Sequence, residues 1–246
     1  MGSLTIIGIA ALIFAAAVLY SSVGHAGASG YLAAMALFGV APAVMKPAAL
    51  SLNILVAAIT SWKFYRAGCF SWRIFWPFAL ASVPCAFIGG ALSLPTTVYK
   101  PIVGVVLLYA AVWLFRNARS TTLALTKPLP VVPALALGVG IGLLSGLTGV
   151  GGGIFLSPLL LFMEWADTRQ ASGVSAVFIL VNSIAGLGGH LSSLSSLPRS
   201  IAVWAAAAIV GGWIGAEWGS RRLAGTSLRR LLAVVLVVAG LKLMFV

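Results

Sequence analysis

A chain of 246 residues that is 61% hydrophobic and only 7% charged has far too few polar groups for a water-soluble fold, where about 25% of residues are charged. Its 15 Lys and Arg against 3 Asp and Glu give a net charge of +12. The cations sit in short segments between apolar runs, which is the pattern of loops held at the cytoplasmic membrane face, so nucleic acid is discounted as a partner.

Apolar runs at residues 4–19, 74–92, 102–115, 131–147, 201–216 and 231–246 are each close to the ~17–25 residues that a spanning helix needs. The first run has no basic segment before it and reads as a retained helix rather than a cleaved signal. Between the long runs lie two glycine-dense stretches, Ser21-Ser-Val-Gly-His-Ala-Gly-Ala-Ser-Gly30 and Ser145-Gly-Leu-Thr-Gly-Val-Gly-Gly-Gly153. Each opens a short apolar segment, 30–38 and 154–163, too brief to span alone at ~1.5 Å per residue. Cys69 and Cys85 have no ligand spacing, so no disulfide framework, metal site or cofactor is implied. Trp62, Trp72, Trp76, Trp113, Trp165 and Trp218, near helix ends, read as interface anchors.

The two halves match at an offset of 124 positions, which pairs Ser21 with Ser145, Gly27 with Gly151, Leu32 with Leu156, Phe38 with Phe162 and Ser51 with Ser175. After a two-residue drift Ile88 and Gly89 match Ile214 and Gly215. This is an internal duplication: residues 1–118 form an N-terminal transmembrane repeat, 119–130 a cytoplasmic linker and 131–246 a C-terminal transmembrane repeat. Basic residues concentrate in three loops, at Lys63, Arg66 and Arg73, at Arg116, Arg119 and Lys127, and at Arg221, Arg222, Arg229 and Arg230, with only Lys100 and Arg199 between them. Five segments per half put all three loops in the cytoplasm, whereas four would export the last. The expected fold class is therefore an all-α polytopic membrane protein of two inverted repeats, each with a Gly-rich broken helix, and both termini outside.

Glycine is unfavourable inside a helix, so such density within apolar surroundings suits backbone that unwinds, approaches a ligand closely and offers free N–H groups. The short helix after each break presents its N-terminus to anions, and in an inverted repeat the two N-termini would meet near the midplane. The competing explanation is close helix packing; two matched breaks, each followed by a short helix, favour a substrate site. Candidate substrate-binding residues are Ser21, Gly24, His25, Gly27 and Ser29 in the first break, with Lys46, Ser51 and Asn53 after it. The second half supplies Ser145, Thr148, Gly149, Gly151, Gly152 and Gly153, then Arg169, Gln170 and Ser175. Ser51 and Ser175 are the preferred paired hydroxyls, Ser172 and Asn182 add polarity, and Lys46 and Arg169 can equally be interfacial cations. His25 is the proton-coupling candidate, with His190 a weaker one beside a polar loop. Glu164, Asp167 and Glu217 lie at helix ends, so no buried carboxylate relay is expected.

The stretch Gly142-Leu-Leu-Ser-Gly-Leu-Thr-Gly-Val-Gly-Gly-Gly-Ile-Phe-Leu-Ser-Pro158, followed by Arg169-Gln-Ala-Ser-Gly-Val-Ser-Ala176, resembles the sulfite exporter TauE/SafE family, also grouped as sulfonate and organosulfur anion transporters. The resemblance extends through both repeats. It implies a bacterial inner-membrane, multi-pass secondary transporter, not an enzyme, that moves sulfite, sulfonates or related anions as an exporter by alternating access. The first break departs from the usual pattern in carrying His25, Ala26, Ala28 and Ser29. Its expected partners are a small anion and the lipid bilayer, as a monomer or homodimer. Two rivals remain at this point. Gly27-Ala-Ser-Gly30 is the short motif of an intramembrane serine protease, which would need a histidine base within reach of the serine; a glycine-lined channel or accessory membrane subunit is the other.

Overall fold

The computed structural model describes residues 2–92, 107–109, 111–113, 115–116, 127–190, 197–198 and 200–245, with the backbone alone at 42–43 and 242–245. Most of the apolar run at 102–115, most of the linker, and Lys100, Arg119 and Arg199 lie outside the described residues. Among the described residues the elements are helical: α1 (Ser3–Ser21), α2 (Ala28–Leu37), α3 (Pro42–Arg66), α4 (Trp72–Ala91), α5 (Val131–Thr148), α6 (Gly153–Phe162), α7 (Thr168–Gly189), α8 (Ile201–Glu217) and α9 (Gly225–Phe245). A π-turn, Trp218–Arg222, continues α8. Six of these are long and apolar enough to cross a membrane, where backbone groups have no water to pair with and must be satisfied within the helix.

The ends of the elements follow from local chemistry. Pro42 begins α3, where its missing N–H is harmless, and Lys63 and Arg66 close it at the negative end of the helix dipole. Asp167 caps α7 by accepting the Gln170 N–H at 2.9 Å. α5 stops at Gly149, whose φ of +71° is the left-handed cap conformation.

Contacts between helices fix their directions. Gly30 lies against Ala16 and Tyr20 while Gly8 lies against the Phe38 ring, so α2 runs back along α1 as a helical hairpin. Lys127 N–H donates to the Glu164 carbonyl at 2.8 Å, which brings the end of α6 back to the start of α5. α3 and α7 are antiparallel: Asn53 meets Ser183, Leu50 meets Gly186 and the Cys69 carbonyl meets Gly173. They are also the most deeply buried of the six long helices.

Two seams bind the halves. Gly138, Gly142 and Gly146 of α5 lie against the backbone of Phe78, Ser82 and Ala86 of α4. Gly211 and Gly215 of α8, and Gly219 of the following π-turn, lie against Phe14, Val18 and Ser22 at the end of α1. Every step along each seam is four residues on both strands of contact, so each pair is parallel, with small residues letting the backbones approach. The first helix of each half thus packs against the fourth described helix of the other.

Large apolar side chains such as Leu4, Ile7, Leu80, Phe87, Val132 and Trp213 are exposed, as a lipid-facing surface requires. Trp62, Trp72, Trp76 and Trp218 are exposed too, but Trp165 is only 7% exposed and packs on Phe78 with ring centres 6.3 Å apart. Trp165 is therefore a core residue and not an interface anchor, because the turn after α6 folds it inward beneath α4.

Candidate functional site

Two non-helical stretches interrupt the apolar layer, between α1 and α2 and between α5 and α6. Gly24 and Gly27 in the first have φ of +82° and +104°, and Gly149, Gly151 and Gly152 in the second have +71°, +82° and +79°. These left-handed conformations are cheap only for glycine. The stretches are also crowded: a Cβ on Gly24 would lie 2.2 Å from the Ser172 carbonyl oxygen, and one on Gly151 2.9 Å from Asn53 Nδ2. Gly27 and Gly152 are the N-caps of α2 and α6, and neither cap residue supplies a side-chain hydrogen bond, so the N–H groups of these first turns look elsewhere for acceptors.

Asn53 joins the two stretches. It is the twelfth residue of the 25 in α3 and is fully buried. Its Oδ1 accepts the Ala28 N–H at 3.0 Å, and its Nδ2 donates to the Val150 carbonyl and to Ser183 Oγ, both at 3.3 Å. One amide thus holds the N-terminus of α2 beside the turn that precedes α6.

A second bridge runs through His25. Its Nδ1 lies 3.2 Å from the Val23 carbonyl and its Nε2 3.3 Å from Ser157 Oγ, while Ser157 Oγ donates to Ser175 Oγ at 2.7 Å. Ser157 and Ser183 are parts of this centre that the sequence reading did not single out. A serine in the middle of an apolar helix is a signal, since a polar group in lipid must face protein, water or ligand.

Ser21 and Ser145, equivalent under the 124-residue offset, are both buried and neither hydroxyl has a hydrogen-bond partner. Ser145 lies against Gly152. The same condition holds for Asn182 Oδ1, whose Nδ2 donates to the Phe178 carbonyl of its own helix at 2.9 Å. A buried polar atom without a partner is unfavourable; Ser61, Ser82, Ser220 and Trp204 Nε1 share the condition elsewhere, and what sets Ser21 and Ser145 apart is their equivalent positions at the ends of α1 and α5.

The remaining candidates are placed as follows. Ser29 Oγ donates to the Tyr20 hydroxyl at 2.7 Å, and Tyr31 donates to the Ala26 carbonyl. The Lys46 side chain passes Gly149 at its Cγ. Ser51 and Thr148 donate to carbonyls of their own helices, Pro47 at 2.8 Å and Leu144 at 2.7 Å. Gly153 begins α6 against Ile179 and the Ser175 carbonyl. Gln170 lies in the first turn of α7, partly buried, where its backbone N–H donates to Asp167. Arg169 donates to the Ser220 and Leu223 carbonyls, each at 2.8 Å, where the π-turn leaves acceptors open. The structure therefore brings together His25, Asn53, Ser175 and the glycines, and turns Arg169 toward the last turns of the α8 region.

A cavity of ≈ 480 Å³ between α1, α2 and α9 is lined by Leu12, Gly30, Ala33, Ala34, Ala36, Leu37 and Val238, an apolar wall unsuited to an anion. Among the described residues no cluster of His, Cys, Asp and Glu could hold a metal ion.

A family model described as Sulfite exporter TauE/SafE matches residues 9–243. A Sinorhizobium fredii protein described as probable membrane transporter protein y4hK is 44% identical over 242 residues, covering 97% of this chain and 98% of that one. Probable membrane transporter protein YunE of Bacillus subtilis is 24% identical over 119 residues, 45% of this chain and 40% of its own. No solved structure matches.

Proposed function

The chain belongs to the sulfite exporter TauE/SafE family, a multi-pass membrane transporter and not an enzyme, and from that premise we propose that it is a secondary carrier of small sulfur oxyanions, sulfite and sulfonates. We assign it to the bacterial inner membrane, working as an exporter by alternating access. The substrate lies between the two glycine stretches, at the positive N-terminal ends of α2 and α6, where Asn53 already takes the Ala28 N–H, and is held by the hydroxyls of Ser21 and Ser145.

The observation that carries this reading is the Asn53 bridge, because it joins the starts of both short helices halfway along α3. The unpartnered hydroxyls at equivalent positions, Ser21 and Ser145, support a ligand that both halves share. The exchange of packing partners between halves supports two inverted repeats, 1–118 and 131–246 about a linker at 119–130, that rock against each other. Of the described basic residues, Lys63, Arg66, Arg73, Lys127, Arg169, Arg221, Arg222 and Arg229 belong to one end of the bundle, the end joined by Lys63–Glu217, Arg169–Ser220 and Arg229–Thr168 contacts, while Lys46 lies toward the other end with His190. On the positive-inside rule the first of these ends is cytoplasmic. Ser29 is engaged with Tyr20 while His25 faces Ser157, so the protease motif has no dyad.

The test is uptake of labelled sulfite into proteoliposomes, with sulfate and taurine as competitors and with counterflow. Wild-type protein should show saturable, trans-stimulated flux, whereas ohmic, unsaturable flux would mean a pore. The Ser21→Ala/Ser145→Ala pair removes no internal hydrogen bond and should fold normally, yet lose ~10-fold or more in apparent affinity as two charge-assisted hydrogen bonds go. Wild-type affinity in that variant would remove these serines from the site.

A further inference from the structure

His25 is held at both ring nitrogens, and the hydroxyl beyond it is not an end point. The sequence of groups is Val23 carbonyl, His25 Nδ1, His25 Nε2, Ser157 Oγ and Ser175 Oγ, at 3.2, 3.3 and 2.7 Å for the three contacts. His25, Ser157 and Ser175 are all 2% exposed or less, so no bulk water can substitute for a missing hydrogen bond. The Gly153 backbone of α6 also faces the ring. From the same hairpin come Tyr20 and Tyr31, engaged with Ser29 and the Ala26 carbonyl. From α3 comes Asn53, which holds Ala28, and from α7 the Ser172 backbone, which meets Gly24. None of these contacts is with a charged group. Lys46 lies instead at Gly149, and Arg169 at Ser220 and Leu223.

The direction of each hydrogen bond follows from the inventory of donors. A carbonyl only accepts, so Nδ1 keeps its hydrogen in both states of the ring. In the neutral ring Nε2 must accept, so Ser157 donates to it and in turn accepts from Ser175, whose one hydrogen is thereby used within the chain. In the protonated ring Nε2–H donates to Ser157, Ser157 donates to Ser175, and the Ser175 hydrogen is released. Protonation at Nε2 therefore reverses two hydroxyls without moving a heavy atom.

We propose that Ser157 is the coupling residue of this carrier: it converts the protonation of His25 into reversal of the Ser175 hydroxyl, which donates to the bound anion only when the proton is present. The proposal rests on the anion-carrier reading above. It links one proton to one anion, because the chain exists once: the counterparts of His25 and Ser157 at the 124-residue offset are Gly149 and Ala33, which carry neither ring nor hydroxyl. It also differs from simple attraction of an anion to a charged imidazole, since that needs no Ser157.

The test is the affinity of purified protein for methanesulfonate and for sulfate at pH 5 and pH 8, anions whose own charge does not change over that range. Wild type should bind about tenfold more tightly or better at pH 5, a coupling of ~1.4 kcal/mol. In Ser157→Ala the ratio should fall to near one, and Ser157→Thr, which keeps the hydroxyl, should restore it. The wild-type ratio persisting in Ser157→Ala overturns the relay and leaves direct attraction. Absence of binding of either anion by wild type at both pH values overturns the anion reading and the relay with it. If Ser157→Ala does not purify as a monodisperse protein, Ser175→Ala carries the same test, because direct attraction to the imidazolium needs no hydroxyl at Ser175: a ratio near one agrees with the relay, and the wild-type ratio overturns it.

Discussion

Lys63 Nζ lies 2.5 Å from Glu217 Oε2 and so ties the last turn of α3 to the last turn of α8. The ammonium also sits 3.9 Å from the ring centre of Trp213 and 5.3 Å from that of Trp62, and Arg221 approaches Glu217 at 3.4 Å. The Lys63 side chain is 9% exposed and that of Glu217 29%. Removing the negative charge alone leaves a nearly buried ammonium without its counter-charge, which is worse than removing both charges. Glu217→Gln should therefore lower the melting temperature in detergent more than the double variant Lys63→Met/Glu217→Leu does. The reverse order would mean that the pair contributes nothing as a pair.

The α4–α5 seam makes a prediction with its own control two residues away. A Cβ on Gly142 would lie 2.3 Å from the Ser82 carbonyl oxygen, whereas one on Gly140 meets nothing within 4 Å. Gly142→Ala must push the helices apart and should destabilise by ~1–3 kcal/mol. Gly140→Ala should stabilise slightly, by ~0.5–1 kcal/mol, as alanine replaces glycine inside a helix. Thermal unfolding of the two purified variants checks this, and equal melting temperatures would rule out the seam as a close-packed contact. Gly215→Ala on α8, facing the Val18 carbonyl oxygen at 2.2 Å, should behave like Gly142→Ala.

Cys69 reports on the α3–α7 contact. Its backbone carbonyl is wedged against Gly173, and burial pushes its thiol above the ordinary range, only partly offset by the Arg169 guanidinium. Less thiolate and poor access both slow its chemistry. In a Cys85→Ala background, Cys69 should react with maleimide at pH 7 far more slowly than an exposed thiol, and faster as the pH rises. If rocking of the repeats separates α3 from α7, an added transported anion should change that rate. A rate unchanged by every anion would argue that this contact does not move during transport.

How much of this was legible in the sequence depends on the kind of interaction. The long helices follow from apolar runs, and the glycine stretches fall where α1 and α5 end, because left-handed backbone needs glycine at Gly24, Gly27, Gly149, Gly151 and Gly152. The positions of single polar side chains do not follow from spacing. Spacing leaves Arg169 open as a ligand or an interfacial cation; in the fold its guanidinium donates to the Ser220 carbonyl of the π-turn and to that of Leu223 just after it, and no periodicity announces a π-turn. Ser51 and Ser175 match in sequence, yet Ser51 donates to Pro47 of its own helix while Ser175 joins Ser157. Ser51 makes the same bond to the carbonyl four residues back that Thr60, Thr148 and Ser172 make, whereas Ser175 faces the Ser157 hydroxyl of the neighbouring short helix.

His190, at the C-cap of α7, lies at the opposite end from the basic loops, and burial together with the positive charge of Lys46 holds its imidazole below the ordinary value. The folded protein therefore binds fewer protons at this ring than the unfolded chain does, so its contribution to stability is negative and grows as the pH falls through the unfolded value near ~6.5. Two consequences are measurable. In a His25→Gln background, the remaining histidine followed by NMR should titrate below that of a free histidine peptide. Adding Lys46→Met should move the midpoint up toward the peptide value without reaching it, because the burial that contributes most remains. The same substitution should reduce the loss of thermal stability between pH 7 and pH 5. A midpoint indifferent to Lys46 would show that the ammonium, which passes Gly149 with its stem, turns its charge away from His190 toward the turn between α5 and α6.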